Sequence, residues 1–276
     1  MLLRLPEPYD FDLSMERFRA FGRDPVSLWE DGRLYRVFDD REVAMAGAAT
    51  GGVSVEPGDR GLTGPVRRFL GATFDLDGFA AFAASDPVLR DVVGRLPGLR
   101  PVLIPDPLEM LVGSITAQQV SLHAATAIRR RLVERFGRPV GRVYAFPRRD
   151  ELARASADEV TALGFSRRKA EYTLALARSE LDLDALAALP DEEVKRVLTA
   201  LPGIGEWTAD WFLARHLGRP EAWPAGDLGL RKAVSAFYLD GRDATIEEVR
   251  AIGERFSTFR NLAAHYLLVA LRVLGR

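Results

Sequence analysis

At 276 residues and 47% hydrophobic, the chain can bury a substantial core and hold two domains, while a net charge of −1 excludes a protein that coats nucleic acid through a global basic field. With no cysteine there are no disulfides, thiolate zinc sites or cysteine-held iron–sulfur clusters, and three scattered histidines (His123, His216, His265) argue against a histidine metal centre. No apolar run approaches membrane length and Met1-Leu2-Leu3-Arg4-Leu5-Pro6 has no signal-peptide pattern, so a soluble cytoplasmic protein is expected.

Residues 1–72 read as a small α+β domain. Tyr9-Asp10-Phe11 leads into a short helix carrying Phe18 and Phe21. Strand-like pieces follow at Arg33–Phe38, Glu42–Ala46 and Gly52–Glu56, separated by Asp-Asp and Gly-Gly turns. From Thr73 to the end the chain reads as helix after helix, an all-helical second region over residues 73–276. Asp86-Pro87 and Asp106-Pro107 each offer a cap with a first-turn proline. Asp106 with Glu109, Ser156 with Glu159 and Thr245 with Glu248 have capping-box spacing, and Gly137, Gly164 and Gly218 are natural stops.

One long helix is predicted after Asp106, running through Ile115 to Ala124, Ile128, Leu132 and Phe136. Gln118-Gln119-Val120-Ser121 interrupts its apolar face with amides, which on their own read as exposed glutamines. Arg129, Arg130, Arg131 and Arg135 point in different directions and read as a solvated surface. Arg167-Arg168-Lys169, just after the Ser166 cap, oppose the helix dipole; a nearby phosphate or distant carboxylates would account for them.

The most informative stretch lies between Val197 and Asp227. A helical pattern that starts at Asp191-Glu192-Glu193 stops at Pro202, and another begins after Gly205, so Leu201-Pro202-Gly203-Ile204-Gly205 is a tight helix–helix turn. Gly203 and Gly205 are free to take positive φ, and their amides at the start of the second helix favour an anion such as a phosphate. Trp207 and Trp211, four apart, share one face; either core packing or a stacking surface fits. Asp227 follows Pro224-Ala225-Gly226 and reads as an N-cap, where helix amides favour a charged carboxylate. The helix from about Arg260 to Leu274 is apolar enough to close a bundle.

Leu201-Pro202-Gly203-Ile204-Gly205, Trp207-Thr208-Ala209 and the later Gly226-Asp227 resemble the helix-hairpin-helix superfamily of DNA glycosylases. Pro8-Tyr9-Asp10, Pro97-Gly98-Leu99-Arg100, Ala117-Gln118-Gln119-Val120-Ser121, Phe146-Pro147, Leu163-Gly164, Arg168-Lys169-Ala170 and Phe259-Arg260 extend the likeness over nearly the whole chain, to alkylpurine (3-methyladenine) glycosylases of the bacterial class II type. The resemblance implies a mainly α fold with an N-terminal α+β domain and the hairpin at about residues 191–217. It implies a monomer acting on damaged double-stranded DNA, with no required cofactor.

By the same resemblance, Asp227 is the catalytic carboxylate, Trp207, Trp211 and Phe18 line the base pocket, and Gln118, Gln119, Gly203, Gly205 and Thr208 contact DNA. Carbonyls of Thr199, Leu201 and Ile204 would hold a structural sodium or potassium ion. Bond cleavage builds positive charge on the sugar, which an ionised carboxylate stabilises while it orients or deprotonates water. Relatives that also cut the backbone carry a lysine at the position of Trp207, so hydrolysis to an abasic site is expected here. A cationic alkylated purine would gain roughly 0.5–2 kcal/mol on an aromatic face. The chain departs from the family at Leu267-Leu268-Val269, where relatives add a pocket tryptophan, so a more open box is expected. The competing readings are a non-catalytic hairpin DNA-binding module, which needs the glycines but not Asp227, and a glycosylase for oxidised or deaminated bases.

Overall fold

The structure is a computed structural model and describes residues 1–49 and 51–275. Its N-terminal part is one antiparallel sheet of five strands, β1 (Leu2–Leu3), β2 (Ser27–Glu30), β3 (Arg33–Phe38), β4 (Arg41–Gly47) and β5 (Val53–Glu56), in the order β1-β5-β4-β3-β2. Two-residue turns fix the register. Asp31 and Gly32 join β2 to β3, Asp39 and Asp40 join β3 to β4, and all four have positive φ, the conformation whose twist matches the flanking strands. Two short helices, α1 (Phe11–Ser14) and α2 (Glu16–Ala20), cover the sheet together with α3 (Thr63–Phe69). Met15, Phe18, Leu34, Met45, Val55, Val66 and Phe69 make its core. The three expected strands are present; β1 and β2 were not predicted.

A second, larger core draws on Val26 and on residues from Phe74 to Ala270. It is built by α4 (Leu76–Ala83), α5 (Pro87–Arg95), α6 (Pro107–Ala117), α7 (Leu122–Phe136), α8 (Arg149–Arg154), α9 (Ala157–Ala162), α10 (Arg167–Arg178), α11 (Asp191–Thr199), α12 (Glu206–Phe212), α13 (Leu228–Tyr238), α14 (Ile246–Glu254) and α15 (Arg260–Val273). The region is not all-helical. A hairpin of β6 (Arg138–Val140) and β7 (Val143–Ala145) turns at Gly141, which has positive φ, and Tyr144 N–H donates to Pro25 O at 2.9 Å.

The single long helix expected after Asp106 is two helices. Gln118 leaves α6 with extended ψ, Gln119 takes φ +55°, and Ser121 caps α7 by accepting from Ala124 N–H. The Asp106–Glu109 spacing is only half a capping box. Asp106 accepts from the amides of Leu108 and Glu109, but the Glu109 carboxylate turns instead to Arg36 and Arg129. Arg129 in turn pairs with Asp24, so this arginine belongs to a buried network joining sheet to helices rather than to the solvated surface expected of it. The boxes at Ser156 and Thr245 are complete.

Candidate active site

The hairpin is formed by α11, the turn at residues 200–205 and α12. Gly203 has φ +79°, and a Cβ there would lie 2.1 Å from the Tyr172 ring, so α10 packs directly under the turn and only glycine fits. Gly205 differs from expectation. Its φ is −104°, open to any residue, and a Cβ there would meet nothing within 4 Å. Its value is as the N-cap of α12, in an exposed position. Among the described residues, the N–H groups of Gly203 and Gly205 donate to no protein acceptor. Lys195 of α11 and Asp210 of α12 form an ion pair at 2.9 Å that holds the two helices together, and burial raises the Asp210 pKa.

The turn between α6 and α7 is tied to this hairpin. Gln118 Nε2 donates to Gly203 O at 2.8 Å, and Lys169 Nζ donates to the carbonyls of Thr116 and Gln118. Lys169 therefore completes the end of α6, and burial lowers its pKa. Arg167 pairs with Asp158 and Glu171, so neither cation is left for a phosphate, while Arg168 stays exposed with no partner among the described residues. Gln118 is spent on the hairpin. Gln119 stands out from the turn, flanked by the exposed Val120 and Leu122.

Asp227 caps α13, with Oδ1 accepting from Leu230 N–H at 2.9 Å. Its other oxygen accepts from two indoles, Trp207 Nε1 at 2.9 Å and Trp211 Nε1 at 3.0 Å. The four-residue spacing on α12 thus aims both rings at one carboxylate, a role that sequence reasoning, which treated them as packing or stacking surfaces, missed. Three donors fix the carboxylate's orientation. The loop before it is anchored by Trp223, whose Nε1 donates to Val249 O at 2.9 Å and whose ring lies against Gly253. On the other side a Cβ at Gly229 would touch both Asp227 Oδ1 and Leu268 Cδ2 at 3.0 Å, so Leu268 borders the carboxylate where a tryptophan was anticipated in relatives.

The two tryptophans differ in access. Trp207 is half-buried. Trp211 is 1% exposed, with the Arg215 guanidinium carbon 3.5 Å from its ring centre and His265 edge-on at 5.6 Å. No base stacks on Trp211 in this arrangement. His265 Nδ1 lies 2.9 Å from Asn261 O, which only accepts, so that nitrogen carries the proton; burial first, then Arg215, pushes its pKa down to about 3.

Two further expected residues lie elsewhere. Phe18 is in the N-terminal core, stacked on Phe69 at 6.2 Å, and is not placed with the tryptophans. Thr208 is 1% exposed, so its hydroxyl is withheld from an outside phosphate. The carbonyls of Thr199 and Ile204 accept no hydrogen bond among the described residues, and that of Leu201 accepts from Ile204 N–H at 3.2 Å. No helix of the described residues is long and apolar enough to cross a membrane.

Residues 112–257 match the model of the HhH-GPD superfamily base excision DNA repair proteins. A DNA-3-methyladenine glycosylase of Bacillus subtilis is 29% identical over 72% of this chain and 70% of its own length. A probable bifunctional transcriptional activator/DNA repair enzyme, AlkA, of Mycobacterium tuberculosis is 33% identical over 76% of this chain, which spans only 42% of that longer protein. Among solved structures, a 3-methyladenine DNA glycosylase from Archaeoglobus fulgidus superposes over the whole of both chains, with a TM-score of 0.90 and 29% identity. An 8-oxoguanine glycosylase/lyase of Clostridium acetobutylicum reaches 0.82 at 20% identity, a likeness of fold alone.

Proposed function

The chain belongs to the HhH-GPD superfamily of base excision DNA repair proteins, and from that premise we propose that it is a monofunctional glycosylase that releases alkylated purines such as 3-methyladenine from DNA and leaves an abasic site. The observation that carries this reading is the Asp227 carboxylate, oriented by Trp207 and Trp211 beside a glycine turn with unused amides. The names of the Bacillus subtilis and Archaeoglobus fulgidus relatives support the alkylpurine as substrate class.

In this reading the glycine turn holds a backbone phosphate next to the lesion, and Gln119, held out at positive φ, fills the gap left by the extruded base. The half-buried Trp207 offers its ring to that base. Asp227 stabilises the cationic sugar and takes a proton from the attacking water. Trp207, where lyases of the superfamily have lysine, supplies no amine for a Schiff base, which supports hydrolysis alone. The carbonyls of Thr199, Leu201 and Ile204 fit a sodium or potassium ion, since neutral oxygens with free lone pairs suit a hard monovalent cation; such an ion would brace the turn. The reading takes the enzyme as a monomer, with the boundary between its two regions near residue 72.

The test is release of methylated bases from alkylated duplex DNA by wild type and Asp227→Asn. Asparagine keeps the N-cap, so the variant should fold while its release rate falls by a factor on the order of 100 or more. Equal rates would remove Asp227 from the chemistry. Strand scission by the wild type without alkali would overturn the hydrolytic assignment.

A further inference from the structure

Arg215 has no use in the scheme above, yet it is placed at its centre. It stands in a π-helical turn, Leu213–Leu217, that continues α12, an irregularity that displaces side chains from the usual helical spacing. Its guanidinium lies 3.5 Å from the ring centre of Trp211, the same indole whose Nε1 binds Asp227 Oδ2. The group is therefore within about one indole's width of the candidate catalytic carboxylate.

None of its five N–H donors has a protein acceptor among the described residues, and Nε is fully buried without one. A guanidinium carries five N–H donors and no acceptor, so a half-buried one with no protein acceptor and no ion pair is a donor set awaiting a ligand. Its surroundings add positive rather than negative potential. Burial and the neighbouring Arg17 of α2 push the Arg215 pKa well down, Asp227 pushes it up, and Arg272 of α15 pushes it down. Arg272 is offset by Glu16 at 2.7 Å, whereas Arg17 has no ion pair among the described residues, and His265 of α15 is neutral at physiological pH.

This arrangement opposes one part of the alkylpurine scheme. The face of Trp211 that would attract a cationic base is already taken by a cation, which leaves Trp207 alone for that purpose. What Arg215 can do instead is donate to a carbonyl or ring nitrogen of the extruded base. That matters most for a neutral lesion. A cationic alkylpurine departs as a neutral molecule and needs no help. A neutral purine departs as an anion, with the C1′–N9 electron pair delocalised onto the carbonyl and ring nitrogens.

Resting on the reading of Asp227 given above, we propose that Arg215 is a catalytic residue that stabilises the negative charge on a departing neutral purine bearing a carbonyl, and so extends the enzyme's range beyond cationic lesions. In that step the C1′–N9 pair leaves with the base, held by the Arg215 N–H groups. Water oxygen bonds to C1′, one of its protons passes to Asp227 and on to solvent, and the released base takes a proton from solvent.

The experiment compares single-turnover release of hypoxanthine and of 7-methylguanine from duplex DNA by full-length wild type, Arg215→Met and Arg215→Lys. Arg215→Met should slow hypoxanthine release on the order of 100-fold, as for loss of a donor to a developing anion, while 7-methylguanine release changes less than about 3-fold. Arg215→Lys, which keeps the charge and the fold even should methionine fail to, should fall between. In Arg215→Met, hypoxanthine release should recover as pH falls from 7.5 to 5.5, because a proton on the base replaces the guanidinium; wild type should gain less. Equal losses on both substrates in either variant, or a wild type that releases 7-methylguanine but no hypoxanthine, would overturn the proposal while sparing the glycosylase reading. Release of neither base by the wild type would end both.

Discussion

Asp227 receives more hydrogen bonds than an N-cap requires, and two of the three come from indoles one turn apart. Replacing Trp207 with phenylalanine keeps a ring and removes one donor to a charged acceptor, a contact worth about 1.5–3 kcal/mol. The expected outcome is a 10- to 100-fold slower single-turnover base release with little change in DNA affinity. A loss confined to affinity would mean that Trp207 serves only as a stacking surface. His265 makes a separate prediction. Its folded pKa of about 3 lies below the unfolded value near 6.5, so between these pH values the unfolded chain binds the proton and the folded one does not. Its contribution is complete above pH 6.5 and is lost as pH falls towards 3, by up to about 1.4 kcal/mol per pH unit. Urea midpoints between pH 7 and 4 should fall more steeply for wild type than for His265→Gln. The N-cap at Asp227 was legible in the sequence because Pro224-Ala225-Gly226 ends one segment just before it and a helical pattern starts just after. Arg215 was not, since a lone arginine amid apolar residues carries no sign of which ring it will cover.

At the scale of elements, capping residues were the most readable signals because each acts within four positions of itself, as Ser156–Glu159 and Thr245–Glu248 do. What failed depended on distant partners or on one dihedral. The break at Gln118–Ser121 was hidden because apolar residues continue in phase across it, and what holds it open is Lys169 and Gly203, far along the chain. The β6–β7 hairpin was missed although Pro139 and Gly141 punctuate it. The hairpin glycines separate two demands that looked alike in sequence. Gly203→Ala faces both a positive φ and the Tyr172 ring, so unfolding should show a loss of about 1–3 kcal/mol or more from the strained backbone and the clash. Truncating Tyr172 to alanine in the same chain should remove the steric part of that penalty and leave the backbone part. Gly205→Ala, in open space with ordinary φ, should change stability by less than about 0.5 kcal/mol. If the turn holds a backbone phosphate as proposed, the added methyl should instead lower affinity for duplex DNA, which a binding titration reads.

Across the whole molecule, a charged network stands beside the small apolar cluster of Leu28, Tyr35 and Val143 where the sheet meets the helical region. Glu109, 3% exposed on α6, accepts from Arg36 of β3 and from Arg129 of α7 at 2.7 Å. Arg36 also donates to Ser27 of β2 at 2.6 Å, and Arg129 binds Asp24. One carboxylate thus neutralises parts of two guanidiniums, one from the sheet and one from the helical region, on the same helix that ends at the Gln118–Gln119 turn. Removing that carboxylate leaves buried positive charge without its partner, which costs about 3–5 kcal/mol, far more than the pair contributes over an apolar replacement. Glu109→Gln retains shape and hydrogen bonding but not charge, so chemical denaturation should show a large drop in midpoint. Combining it with Arg36→Met should recover part of that loss, because the double variant no longer buries an unpaired guanidinium at the sheet. A double variant no more stable than Glu109→Gln alone would mean that Glu109 serves α6 by itself and does not bind the two regions together. If the network does bind them, Glu109→Gln should also weaken retention of an abasic-site duplex, because the turn that carries Gln119 is set by the helix that Glu109 anchors.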